Sequence, residues 1–302
     1  MANYNDKFND QVFTPEYLAD MMCKLGCVNN DSKVIDNACG NGNLLYSAYK
    51  HNANELYGVE YDGTLSNETI KRFDNMNNVK IVCGDGLNVT DDISDYNVLL
   101  SNPPYSADSK GFIFTESLVD KMSTGRAVVL IQENAGSGQG VKSASNILKK
   151  ASLIASIHLN SKVFIGHASV QTALYVFDIG RPHKATDIVK FIDFSNDGYT
   201  RAGRKNSTKN LIDNDNAIAR YAEVIDLVLG NNPTTHYYTK DNGLLVEDTI
   251  TLNGDDFTYQ QHHVIDTTPT EEDFKKTVEE YLLWKINNQF KQQGSKYGIY
   301  KF

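Results

Sequence analysis

Proline occurs only six times in 302 residues, cysteine four times and tryptophan once. The thiols Cys23, Cys27, Cys39 and Cys83 form no Cys-x-x-Cys pair and have no histidine at zinc spacing, which argues against a zinc module or a disulfide scaffold. Cys23 and Cys27 stand four apart in a helix-like segment and read as free buried thiols. That usage fits a reducing compartment, so a cytoplasmic protein without a bound metal is expected. No apolar run reaches the roughly 18 residues of a membrane span. The start, Met1 to Asp6, lacks the basic and then apolar layout of a secretion signal. Walker loops and paired acids with a lysine at convincing nuclease spacing are also missing, so translocation and cleavage are not expected. Positive charge is short as well: 29 Lys and Arg against 38 Asp and Glu leave a net −9. A chain that wraps nucleic acid unaided neutralises many phosphates. Any nucleic acid here is therefore expected to sit on a local patch, or to be held with a partner's help.

The chain does contain 40% hydrophobic residues, enough for a sizeable core. Strand-like segments at 33–36, 56–60, 79–83, 97–100, 127–131, 153–158 and 172–177 alternate with helix-like ones at 16–27, from 43, 65–75, 112–123 and 143–151. This alternation predicts an α/β fold, a doubly wound and mostly parallel seven-stranded sheet covered by helices. After residue 190 the texture changes. A strand at 191–194 leads to a polar, basic loop, a helix over 213–230 and a polar stretch to 265. A last helix, capped by Thr270 and running to about 289, places Phe274, Val278, Tyr281, Leu282 and Ile286 on one stripe. The expected division is a catalytic domain over 1–195 and a small α+β or helical extension over 196–302 that docks DNA or a partner.

Four features fall at successive strand ends. Asp36-Asn37-Ala38-Cys39-Gly40-Asn41-Gly42 joins a strand to a helix, where glycines allow close approach of a ligand and the helix start favours a negative group. Such a turn is compatible with a dinucleotide fold or with a tight turn alone. Glu60 ends the next strand, 18 residues beyond Gly42, where a carboxylate can accept both ribose hydroxyls. Asp85, in Cys83-Gly84-Asp85-Gly86, ends the third and could take adenine amino protons. With no basic residue in the glycine loop, a nucleoside without pyrophosphate fits better than a dinucleotide. The fourth strand ends in Ser101-Asn102-Pro103-Pro104-Tyr105. There the Asn102 side-chain oxygen and the Pro103 carbonyl can accept the two protons of a planar amino group, and Tyr105 offers a stacking face. Either the tetrapeptide or the glycine turn alone is a strand end with a turn; together they point to a methyltransferase.

The chain resembles the S-adenosylmethionine-dependent DNA adenine-N6 methyltransferases, in particular the modification subunits of type I restriction–modification systems. The likeness spans about residues 8–200. Its motifs are Phe13-Thr14-Pro15, Asp36-x-Ala38-Cys39-Gly40-x-Gly42-x-Leu44, Asn102 to Tyr105, Val129 to Asn134 and Val170 to Phe177. The resemblance implies a Rossmann-like class I methyltransferase fold with S-adenosylmethionine as cofactor. It places Phe13, Thr14, Pro15, Asp36, Asn37, Ala38, Gly40, Gly42, Asn43, Leu44, Glu60, Tyr61, Asp85, Gly86 and Asn102 on that cofactor. Asn102, Pro103, Pro104 and Tyr105 would act on a target adenine flipped out of double-stranded DNA, with a separate specificity subunit as partner. Three departures stand out. Asn37 occupies a position usually held by proline, which is expected to loosen the turn. Phe13-Thr14-Pro15 also lies almost at the N-terminus, without the long helical region that precedes it in full-size subunits, and the stretch beyond 200 is short for a complete target-recognition domain.

Several signals stay open. Phe112 and Phe114 read as core side chains, with base stacking as the alternative. Arg201, Arg204, Lys205 and Lys209 could hold phosphates or form a solvated loop. His262-His263 reads as structural rather than metal-binding, and Trp284 lies off the apolar stripe of the last helix. Methylation of an RNA base or a protein glutamine also uses Asn-Pro-Pro-Tyr, and a non-catalytic cofactor-binding regulator would keep the same fold.

Overall fold

The computed structural model describes residues 12–164, 170–201, 211–263 and 269–296. Helix α1 (Glu16–Leu25) begins directly after Pro15, whose missing amide proton costs nothing at a helix start. Strand β1 (Lys33–Asp36) feeds α2 (Asn43–Lys50), then β2 (Glu55–Glu60), α3 (Gly63–Phe73) and β3 (Val79–Cys83). Next come β4 (Val98–Ser101), α4 (Phe112–Val119), β5 (Gly125–Gln132), α5 (Val141–Ile147), β6 (Ala151–Leu159) and β7 (Thr172–Ile179). All seven expected strands form.

The sheet runs further than seven strands. Strand β8 (Ile188–Phe194) adds in parallel to β6, and β11 (Leu245–Thr249) adds antiparallel to β8, giving nine strands in the order β11-β8-β6-β7-β5-β4-β1-β2-β3. Strand β7 is antiparallel to both neighbours and β1 to β6 share one direction. Chain order reverses between β1 and β4, which pair directly through Val34↔Val98 and Ile35↔Leu99. The crevice at such a reversal is where ligands bind in open α/β sheets.

Period-two alternation along the strands fills two apolar layers. Val98, Leu100, Val128 and Leu130 point to the layer shared with Leu18, Met22 and Leu25 of α1. Leu99, Ala127, Val129 and Ile131 point to the other, with Phe112, Leu118 and Ile147 of α4 and α5. Each fully buried Leu or Phe contributes about 1.5–3 kcal/mol through lost apolar surface.

The division expected after residue 195 does not coincide with a boundary between compact units, which falls at His263. The reason is pairing across that point: Leu245 of β11 lies opposite Ile192 of β8, and α6 (Ala217–Leu229) packs on α1. Helix α6 starts at Ala217 rather than 213. Residues Leu211–Asp213 form strand β10 against β9 (Tyr199–Arg201) instead, and Asn216 takes a left-handed conformation before the first turn. The short α7 (Tyr259–His262) closes this unit. In the second unit, helix α8 (Glu271–Lys296) exposes its whole stripe, Phe274 by 67%, and Trp284 too. Both thiols are free as expected and Cys23 is buried, but Cys27 is exposed beyond the end of α1, contrary to the expectation that both are buried. Among the described residues no helix is long and apolar enough to cross a membrane.

Candidate active site

Asp36 is the last residue of β1 and is 1% exposed. Its Oδ1 accepts the Ala38 amide proton at 3.1 Å. Burial pushes the carboxyl up to about 7; the Ala38 amide opposes that rise and the nearby Glu60 charge adds to it. Glu60, at the end of β2, is also raised by burial. It receives the Gly40 amide on Oε2 and the Asp62 amide on Oε1, each at 2.8 Å. The Tyr61 amide also bonds this carboxylate, which leaves about one of its four acceptor sites for a ribose hydroxyl. Among the described residues no lysine, arginine or histidine forms an ion pair with either carboxylate.

The turn between them depends on glycine. Gly40 and Gly42 have φ of 53° and 76°, and a Cβ on Gly42 would stand 2.6 Å from the Phe73 ring. The Phe13 ring lies over Gly40, 3.3 Å from where its Cβ would be, and is 41% exposed. Gly86 is still more constrained, because its Cβ would fall 1.7 Å from the Asn37 carbonyl oxygen. Asn37 does not loosen the turn. Its Nδ2 donates to Gly86 O at 3.0 Å and Phe114 O at 2.9 Å, so hydrogen bonds fix what a proline would fix by its ring. Asp85 is exposed and closes its own turn, accepting from Leu87 N at 3.0 Å and Asn88 Nδ2 at 2.7 Å. Leu44 is buried in the core, leaving only backbone toward the turn, whereas Tyr61 is 64% exposed.

The segment 12–15 joins this turn to the end of β4. Asn43 Nδ2 donates to Thr14 O at 2.8 Å. Asn102 Nδ2 donates to Val12 O at 2.9 Å and to Thr14 Oγ1 at 3.1 Å. The Val12 carbonyl can only accept, so it fixes which end of the Asn102 amide faces it. Oδ1 therefore points the other way, where it accepts the Tyr105 hydroxyl proton at 2.9 Å and keeps a second lone pair. Tyr105 is half-buried, and burial drives its hydroxyl far above the usual phenol range. Pro104 O accepts the Ala107 amide at 3.1 Å; among the described residues no donor reaches Pro103 O. The chain thus brings Thr14, Asn43, Asn102 and Tyr105 into one bonded series beside Asp36, Glu60 and the glycines.

Sequence reasoning missed Arg72. From the last turn of α3 it donates to Asn41 O at 2.6 Å and Asn43 Oδ1 at 2.8 Å and stacks on Tyr46 at 4.6 Å. Thr69, one turn earlier, donates to Gly40 O at 2.7 Å. No local motif announces either residue. Phe112 is core, packed on Tyr175, Phe177 and Phe257, as read. Arg201 is not available to phosphates: it is buried in an ion pair with Asp197 and also meets the Tyr17 hydroxyl at 3.2 Å. Arg204, Lys205 and Lys209 lie outside the described residues. His262 stacks on Phe191 at 3.8 Å and bonds Asp248, and His263 stacks on Tyr259. These are structural contacts, and among the described residues no three such groups converge as metal ligands.

Residues 1–225 match the family model described as N-6 DNA Methylase. Over 307 aligned positions the chain is 25% identical to "Type II restriction enzyme and methyltransferase RM.BcgI" of Heyndrickxia coagulans, covering 91% of this chain but 46% of that protein. The chain therefore spans under half the length of this relative. Among solved structures it is similar to a type I restriction–modification system methyltransferase subunit from Streptococcus thermophilus, with a TM-score of 0.66 at 16% identity, over 84% of this chain and 59% of that one. It is also similar to a chain from a structure of type I restriction–modification complex assembly, with a TM-score of 0.62 at 16% identity, over 96% and 67% of the two chains.

Proposed function

The chain belongs to the N-6 DNA methylase family, and from that premise we propose that it transfers a methyl group from S-adenosylmethionine to adenine N6 in DNA. The observation that carries this reading is the amide of Asn102. Its Nδ2 is pinned by Val12 and Thr14, so its oxygen is presented beside the glycine turn without the freedom to flip. The cradle fits the cofactor as well. Two buried carboxylates with no cationic partner among the described residues, Asp36 and Glu60, flank a turn with no room for a Cβ at Gly42 or Gly86, which suits a ligand carrying positive charge and a ribose diol. Asp36, Ala38, Gly40, Gly42 and Glu60 would hold it, with Phe13, Thr14, Tyr61, Asp85 and Gly86 around it. Bound there, S-adenosylmethionine supplies an electrophilic methyl on a sulfonium.

The remaining work falls to the chain's own groups. Adenine N6 is a poor nucleophile because its lone pair is delocalised into the ring. Asn102 Oδ1 and Pro103 O accept its two protons, draw the nitrogen toward a pyramidal geometry and leave its lone pair directed outward. Tyr105 holds Asn102 Oδ1 from the other side and offers part of its ring to the base, replacing stacking worth about 1–3 kcal/mol. The base leaves the duplex to reach these groups. Positioning of this kind supplies up to about 7–11 kcal/mol in favourable cases. A net charge of −9 supports a partner that contributes DNA contacts, and a type I specificity subunit fits that role.

The test is transfer of tritiated methyl groups to DNA, RNA and a protein glutamine substrate, with the chain alone and with its neighbouring genes co-expressed. DNA is the expected acceptor, with the label on adenine N6. Asn102→Ala should retain cofactor binding and lose about a hundredfold or more in rate. A variant as fast as the parent would remove the proposed role of Asn102.

A further inference from the structure

One sheet edge carries both the Asn102 corner and a second concavity. Strand β5 lies beside β4, with Ser101 opposite Val129, so Gln132 emerges one strand over from Asn102, about 5 Å laterally. Strand β7 follows, with Thr172 opposite Gln132, and then β6, where His158 stands opposite Ala173. Between these ends and α7 lies a cavity of about 460 Å³ lined by Gln132, Glu133, Asn134 and Gln260 among others.

Its hydrogen-bonding groups are only partly used. Gln132 has no side-chain partner among the described residues, and Asn134 Oδ1 is buried without one. A buried acceptor left without a donor costs about 1–3 kcal/mol. Glu133 Oε1 lies 2.6 Å from His158 Nδ1, which suits the tautomer with its proton on that nitrogen. Gln260 Nε2 approaches the same Nδ1 at 2.8 Å, so two donors face one another there. The Gln260 amide is better satisfied turned toward the cavity. Among the described residues the lining includes neither lysine nor arginine, which disfavours a phosphate as occupant.

We propose that this amide-lined cavity holds a nucleobase next to the target adenine in the methylated strand, reading its edge with Gln132, Asn134 and Gln260. Side-chain amides present a donor and an acceptor together, the pairing that matches base edges. Placement supports the same occupant, since the strand that delivers an adenine to Asn102 passes along this edge. The inference rests on the DNA reading above and deepens it by assigning sequence context to this chain.

The test uses the full chain, with any co-expressed partner, on a DNA library randomised on both sides of a fixed adenine. Gln132→Ala and Gln260→Ala should each relax the base preference at one adjoining position by about tenfold, with S-adenosylmethionine affinity unaltered as the control for folding. Unchanged preference at every position in both variants overturns the proposal. A second readout is independent of transfer: the fluorescence of 2-aminopurine placed beside adenine in a short oligonucleotide. It should change on binding to the parent and far less with either variant. Should the parent methylate no DNA, the reading of the previous subsection falls, while the fluorescence still decides the cavity. A parent that leaves the fluorophore unaffected sinks the cavity proposal even if transfer occurs.

Discussion

Thr14 and Asp36 show how much single side chains set in this site. Thr14 is buried and gives Asn102 one of its two amide acceptors. Thr14→Val keeps the shape and removes the oxygen, leaving Val12 O alone to orient the amide. One such hydrogen bond is worth about 1 kcal/mol, so turnover should fall by about fivefold with little change in KM. A loss confined to KM would show instead that Thr14 serves binding and not orientation. Asp36 lends itself to a pH experiment. Its carboxyl is raised from 3.8 to about 7 by burial. Across that window the folded chain holds a proton that the unfolded chain has released. The stabilisation is complete below the lower value and is lost as pH rises through the upper one. Asp36→Asn keeps an oxygen for the Ala38 amide and removes the charge. Without ligand, the variant should gain stability over the parent as pH rises from 3.8 to about 7, with a ceiling of about 4 kcal/mol. Asp36 and Glu60 interact, so the difference between the melting curves reports Asp36 together with its coupling to Glu60. S-adenosylmethionine should narrow that difference by favouring the ionised parent. A gap independent of pH would show that Asp36 stays charged throughout.

At the scale of elements, α3 acts as a clamp on the glycine turn. Arg72 bonds Asn41 O and Asn43 Oδ1, and Asn43 in turn bonds Thr14 O. Both bonds leave one nitrogen, Nη1, and the planar guanidinium stacks on Tyr46, so Arg72→Lys keeps the charge but loses the stacked plane that aims that nitrogen. The variant should fold, bind S-adenosylmethionine about tenfold more weakly and resemble Arg72→Ala more than the parent in isothermal titration. Parental affinity in Arg72→Lys would reduce the clamp to a simple charge effect. Arg72 also marks the limit of what the chain's text discloses. Period-two apolar runs, the glycine turn and Asn-Pro-Pro-Tyr are local patterns, and local patterns located β1 to β7 and the corner at Asn102. Arg72 meets Asn41 only because α3 folds back across β2, a relation 31 residues long. The same holds for Asn37, whose departure from proline read as a weakness until Gly86 and Phe114 came into range. Strand β11 was hidden for another reason: Leu245–Thr249 ends in Glu-Asp-Thr, an edge strand with little apolar character of its own.

For the whole molecule, charge sets the terms of any encounter with DNA. The net −9 leaves little positive charge to spare, and Arg201 and Arg220 are already paired with Asp197 and Asp215. Duplex affinity falls with salt by a power close to the number of phosphates neutralised. A protein with six to ten such contacts loses about 10³–10⁵ in affinity between roughly 50 and 200 mM salt. The chain alone, engaging about two, should lose only about tenfold over the same range. A complex with a cation-supplying partner should recover the steep dependence. Fluorescence anisotropy with one duplex, with and without the co-expressed partner, measures both slopes. A steep slope for the isolated chain would locate the phosphate contacts within it, with Arg204, Lys205 and Lys209 the first residues to substitute. A shallow slope that steepens only in the complex would assign DNA holding to the partner and base chemistry to this chain.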